Sequence, residues 1–164
     1  LQNNKGGNNI KESINKQIRK KKMSKEEKVN EWLMITEEDL DVAVLCFKGS
    51  KYLHCAYMCQ QAVEKALKAL ITANGQVPSP IHDLYALAED AEIDDALTTE
   101  QKFFLRALTT YAIAARYPER KKKLYSLCKQ EEAEKLLRLA EVFVSWIKEK
   151  INEKLLQEKR SLEN

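Results

Sequence analysis

The stretch YAIAARYPERKKKLYSLCK, residues 111–129, gathers the side chains best suited to chemistry in this chain. Arg116 ends an apolar run, Tyr117-Pro118 stops it, and Arg120, Lys121, Lys122 and Lys123 follow. A guanidinium offers planar paired donors that match a phosphate or carboxylate, and lysines add point charge. The chemistry expected here is the grip of an anion, with Arg116 as the first candidate. Tyr117 adds a ring that can stack on a base or close the core under Pro118. The cations also have plainer readings: Arg116 as a charge against the last carbonyls of a helix, worth about 0.3–1 kcal/mol, and the Arg-Lys run as a solvated connection.

Proton transfer near neutral pH would fall to histidine, and the chain has only His54 and His82. His82 is expected in the first turn of a helix, where its ring caps or packs. Cys55 and Cys59 share a helical face with His54 beside them, which raises a metal site. Structural zinc usually takes paired ligands at loop spacing, and Ala56, Tyr57 and Met58 suit packing instead. Cys55 and Cys59 are therefore expected as buried small hydrophobes, with no metal and no cofactor. Lys65 and Lys68, with Glu64, read as an exposed polar face of one helix.

Helices must position these groups. Only four Gly and three Pro occur in 164 residues, while Leu, Ala, Glu and Lys recur, so the expected class is all-α. Ser24-Lys25-Glu26-Glu27 has the form of a capping box, and Val29, Trp32, Leu33, Leu40, Ala43, Val44 and Phe47 predict a helix over 25–48. Gly49-Ser50 breaks it, and a stripe from Tyr52 to Leu70 predicts a second helix ending near Asn74-Gly75. Ser79-Pro80 predicts the cap and first residue of a short third helix over 80–90. Thr98 to Gln101 forms another box, opening a helix through Ala115 that must end at or before Tyr117, because Pro118 disfavours helix in its predecessor. After a basic connection, the longest apolar stripe predicts a helix over 130–157. Five helices, largely up and down, follow.

Charge and composition narrow the function classes. Residues 1–22 hold seven Lys or Arg against the single acid Glu12, more than the whole surplus of +3, so the remainder is net acidic. The basic pI of 8.6 is thus no evidence that the folded part is a general nucleic-acid binder. The polar, Asn-rich residues 1–23 are expected as a flexible basic segment, residues 24–158 as one helical domain, and residues 159–164 as a frayed tail. Met23-Ser24-Lys25 has the form of a translation start, so residues 1–22 are expected to be an upstream extension. No long apolar run or signal-peptide pattern occurs, and a cytoplasmic location is expected.

Three blocks carry a resemblance: Gln60-Gln61-Ala62-Val63-Glu64-Lys65, then His82-Asp83-Leu84, then Ala115-Arg116-Tyr117-Pro118. In that order and at these separations, over about residues 28–150, the chain resembles the HEPN domain family. The resemblance implies a bundle of four to five helices, a homodimer whose cleft receives nucleotide or RNA phosphate, and a small nucleotidyltransferase as partner in a two-component, toxin–antitoxin-like system. It also implies a metal-independent ribonuclease motif, an Arg followed after four to six residues by His. If Arg116 is that Arg, Lys121, Lys122 and Lys123 occupy the positions of the His. A lysine, with its ordinary pKa near 10.4, is a poor proton carrier unless strongly desolvated. The reading is therefore a non-catalytic binding domain, with ligand contacts expected from Arg116, Tyr117, Arg120, Lys121, Lys122, Lys123 and His82. The alternatives are a diverged ribonuclease using Arg116, and an interaction module with no small ligand.

Overall fold

In a computed structural model, residues 23–114 and 117–163 are described, and they form six α-helices and one short 3-10 turn. Helix α1, Lys25–Lys48, starts on the expected box: the Glu27 amide donates to Ser24 Oγ at 3.1 Å and the Ser24 amide to Glu27 Oε2 at 2.8 Å. Two orphan amides are satisfied reciprocally. The chain reverses at Gly49-Ser50, with Ser50 at φ 57° and the Lys51 amide donating back to Cys46 O at 2.8 Å. This tight turn lays α2, Tyr52–Ala73, along α1.

Helix α2 is the centre of the bundle. Sixteen of its 22 residues are buried, too many for one face, because α1, α4 and α6 all pack on it. It closes at Gly75, whose φ of 82° lets the Gln76 amide reach Ile71 O at 3.1 Å and its own amide reach Thr72 O at 3.0 Å. By contrast α1 buries only Val29, Thr36 and Ala43, as an outer helix should.

The third helix differs from expectation. It spans Leu84–Asp90, and its cap is Asp83, not Ser79: the Asp83 carboxylate accepts from the Tyr85 and Ala86 amides, both at 3.0 Å. Ser79, an equally good capping type, turns its Oγ instead to Asp90 Oδ2 at 2.8 Å. After the 3-10 turn Asp94–Ala96, α4 (Thr99–Ala114) opens on Thr98 and Gln101, which cap each other at 3.1 and 2.9 Å.

The basic connection is itself a helix. Pro118 stops helix in Tyr117, which is extended (φ −124°, ψ 109°), and the same Pro serves as the first residue of α5, Pro118–Leu127. Arg, Lys and Leu have good intrinsic helix propensity, so a run without apolar periodicity is still helical. Helix α6, Gln130–Leu162, is 33 residues long and buries Ala133, Leu136, Ala140, Phe143, Val144, Ile147 and Ile151 along one stripe. It continues past residue 157, and Lys25 pairs with Glu158 and Lys159 with Glu26 along its last turns. No helix of the described residues is long and apolar enough to cross a membrane.

Candidate functional site

Two arrangements of polar groups stand out, and the sequence-derived candidates divide between them. The first is a cleft of about 630 Å³ where α4, α5 and α6 meet. Its floor is Ala107, Tyr111, Leu124 and Leu127, and Arg120 and Lys123 supply cations to its wall. Both cations project from α5 one turn apart, so the helical form of the basic run is what brings them to the same side. Lys121 and Lys122 do not line it: Lys121 Nζ lies 5.9 Å from the centre of the Tyr125 ring, and Lys122 is exposed. Tyr117 is 57% exposed at the cap of α5, with the Arg120 guanidinium 5.6 Å from its ring centre. Arg116 lies outside the described residues.

The second arrangement is a buried network on α2, and here the sequence reading is corrected. Glu64 and Lys68 were expected on an exposed face; they are 1% and 7% exposed, and Gln60, one turn earlier, is 0%. Because α2 is enclosed on several sides, the stripe carrying these residues also faces protein. Glu64 Oε1 accepts from Lys68 Nζ at 2.9 Å and Lys65 Nζ at 3.4 Å, while Oε2 accepts from Gln60 Nε2 at 3.0 Å. His82 Nδ1 lies 3.0 Å from the same Oε2. His82 therefore precedes the cap of α3 and leans on α2; it is not in that helix's first turn. No buried polar side-chain atom of the described residues lacks a hydrogen bond.

Burial alone would push the Glu64 carboxyl up, but hydrogen bonds from Lys68, His82 and Gln60, with the nearby Lys65 charge, outweigh it and hold the pKa down to about 2 from an ordinary 4.5. An ionised Glu64 is an acceptor only, so His82 Nδ1 carries the proton of this contact. A carboxyl depressed by folding stabilises the fold fully above pH 4.5, and that contribution is lost as pH falls toward 2. Acid titration followed by circular dichroism is expected to show stability falling across this window in the wild type, with a shallower fall in Glu64→Gln.

Cys55 and Cys59 are fully buried, as free thiols, among α2's core residues. The hydrogen bond with Cys55, together with burial, pushes the Cys59 thiol up. Among the described residues no group of three or more His, Cys, Asp or Glu is placed to hold a metal ion.

A sequence model of the HEPN domain matches residues 29–151, which span α1 to most of α6. The chain belongs to the HEPN family. Its domain is similar to the crystal structure of TT1696 from Thermus thermophilus, at 27% identity and a TM-score of 0.65, covering 74% of this chain and 97% of that one. It is also similar in fold to ST0689, an archaeal HEPN homologue, at 23% identity and a TM-score of 0.55, covering 75% and 97%. A comparison with curated proteins gave no match.

In this HEPN domain the blocks that carried the resemblance have separate structural work. Gln60, Glu64 and Lys65 belong to the buried network, and His82 joins it from the α2–α3 connection. Arg120 and Lys123, downstream of the Arg116 block, line the cleft. Sequence reasoning missed Thr110, Tyr111 and Glu132 as cleft residues, since they come from helices that only the fold brings together. For the buried network the available signal was Gln60, Glu64 and Lys68 at successive four-residue steps, a register that places them on one stripe.

Proposed function

We propose that this HEPN domain binds a nucleotide or another phosphate-bearing ligand in the α4–α5–α6 cleft, without catalysing its turnover. The supporting observation is the cleft itself, which sets Arg120 and Lys123 over an apolar floor within about 630 Å³, a volume in the usual range of small-molecule sites. The cations take the phosphate and the floor takes the uncharged part. Arg116, two residues beyond the described end of α4, is the further candidate for the phosphate.

Catalysis would need a proton carrier beside the phosphate. His82 leans on Glu64 and is not among the residues lining the cleft, and Lys121 to Lys123 stand where the ribonuclease motif has its His. Family resemblance supports a homodimer or a small nucleotidyltransferase as the working partner of the domain; a cytoplasmic location is part of the same proposal and does not come from the resemblance.

Calorimetric titration of the purified protein with ATP, GTP and a short single-stranded RNA at moderate salt tests the reading. Saturable binding of at least one is expected; failure of all three contradicts it. Metal-independent RNA cleavage that disappears in Arg116→Ala would replace it with the ribonuclease reading.

A further inference from the structure

The cleft between α4, α5 and α6 continues into a second cavity of about 430 Å³, and the two share Ala107 and Glu132. Their walls differ in chemistry. The first carries Arg120 and Lys123; the second is lined mainly by Phe103, Phe104, Leu136, Leu139, Val142 and Phe143, with Glu100, Gln101 and Lys135 beside them. Phe103 is 68% exposed and Val142 62%, so this trough leaves a large apolar surface open to solvent. Glu132, in the first turn of α6, stands where the two cavities meet. Among the described residues its carboxylate acts electrostatically on the Tyr111 hydroxyl and the Cys128 thiol.

The order of groups along the groove is thus cations, a carboxylate, and a mainly aromatic and aliphatic trough. A carboxylate repels phosphate and accepts from hydroxyls, so it selects what lies between a ligand's anionic end and its flat apolar end. A ribonucleotide has this order of parts: phosphates, a ribose diol, a base. A carboxylate reading ribose hydroxyls between a phosphate site and a base site is also sound chemistry in general.

We propose that Glu132 is the ribose-reading residue of the groove, accepting from the 2′ and 3′ hydroxyls of a nucleotide whose phosphates lie at Arg120 and Lys123 and whose base lies in the Phe103–Phe143 trough. The inference rests on the nucleotide reading above and adds to it a specificity for ribose. The selectivity inferred here is for the sugar; any reading of base edges would fall to Glu100, Gln101 and Lys135 of the trough. A ligand without the hydroxyls leaves the carboxylate desolvated and unpaired, a larger loss than one neutral hydrogen bond.

Titration of the full chain with ATP, 2′,3′-dideoxy-ATP and inorganic tripolyphosphate, for wild type and Glu132→Ala, tests this. The wild type is expected to prefer ATP over the dideoxy analogue by roughly ten- to hundredfold, the scale of hydrogen bonds to a charged group. Glu132→Ala is expected to bind both alike, and to bind tripolyphosphate at least as tightly as wild type does. Equal wild-type affinity for ATP and its dideoxy analogue overturns the inference and leaves the nucleotide reading standing, as does a preference that survives in Glu132→Ala. Binding of none of the three probes overturns both. The wild-type comparison needs no folded variant.

Discussion

Replacing Glu64 with Ala is expected to destabilise the domain by about 3–5 kcal/mol, measured by urea unfolding at neutral pH. The substitution leaves Lys68 at 7% exposure without its carboxylate 2.9 Å away, and it strips Gln60 and His82 of a shared acceptor. An uncompensated buried ammonium is the costly product, more so than the lost attraction. Part of the charge can turn toward the Trp32 ring, 5.9 Å from Lys68 Nζ, which places the effect toward the lower end. The double change Glu64→Leu with Lys68→Met is expected to restore most of the stability, because a buried pair exchanged for packed apolar groups is often neutral or better. A single Glu64→Ala variant within about 1 kcal/mol of wild type would mean that the network is not held as described.

Much of the fold was legible in the sequence. Ser24 with Glu27 and Thr98 with Gln101 announce two helix starts, and Gly75 announces an end, because each solves a local backbone problem with a side chain or a conformation specific to it. Helix α5 was not legible through periodicity, since Arg120 to Lys123 offer no apolar stripe, and Pro118 was read as a stop when it is a stop and a start together. The cap of α3 was misplaced because Ser79 and Asp83 are both good caps, and only packing chooses between them: the Leu84 amide meets Thr109 Oγ1 at 3.1 Å, fixing where the helix begins.

The candidate site was legible in part. The density of cations at residues 120–123 pointed to an anion site, while the choice of Arg120 and Lys123 over Lys121 and Lys122 depends on α5 being helical and on which side faces α4. Glu64 and Lys68 were read as solvent-facing because a Glu-Lys-x-x-Lys pattern is usually surface. That rule fails for a helix enclosed on several sides, and α2 is such a helix. Glu132 carried no sequence signal: one acid in a first helical turn is ordinary, and it gains meaning only from the two cavities it borders.

Reversing the cleft's cations is the second large effect. Arg120 and Lys123 are exposed, so Arg120→Glu with Lys123→Glu is expected to change stability by no more than about 0.5 kcal/mol. Binding should respond far more. Each cation that meets a phosphate makes a charge-assisted hydrogen bond worth about 1.5–3 kcal/mol, and solvent screening at an open cleft favours the lower figure. Two such losses, with repulsion in their place, amount to at least about a hundredfold in affinity at low salt. The same losses should shrink as salt is raised, since screening weakens what the reversal removes.

Calorimetric titration of ATP into wild type and into Arg120→Glu/Lys123→Glu, side by side at low salt, therefore tests most directly whether this HEPN domain holds phosphate in the α4–α5–α6 cleft. Saturable binding by the wild type is expected, with a loss of about a hundredfold or more in the folded double variant. Equal affinity in the two proteins would contradict phosphate binding at Arg120 and Lys123.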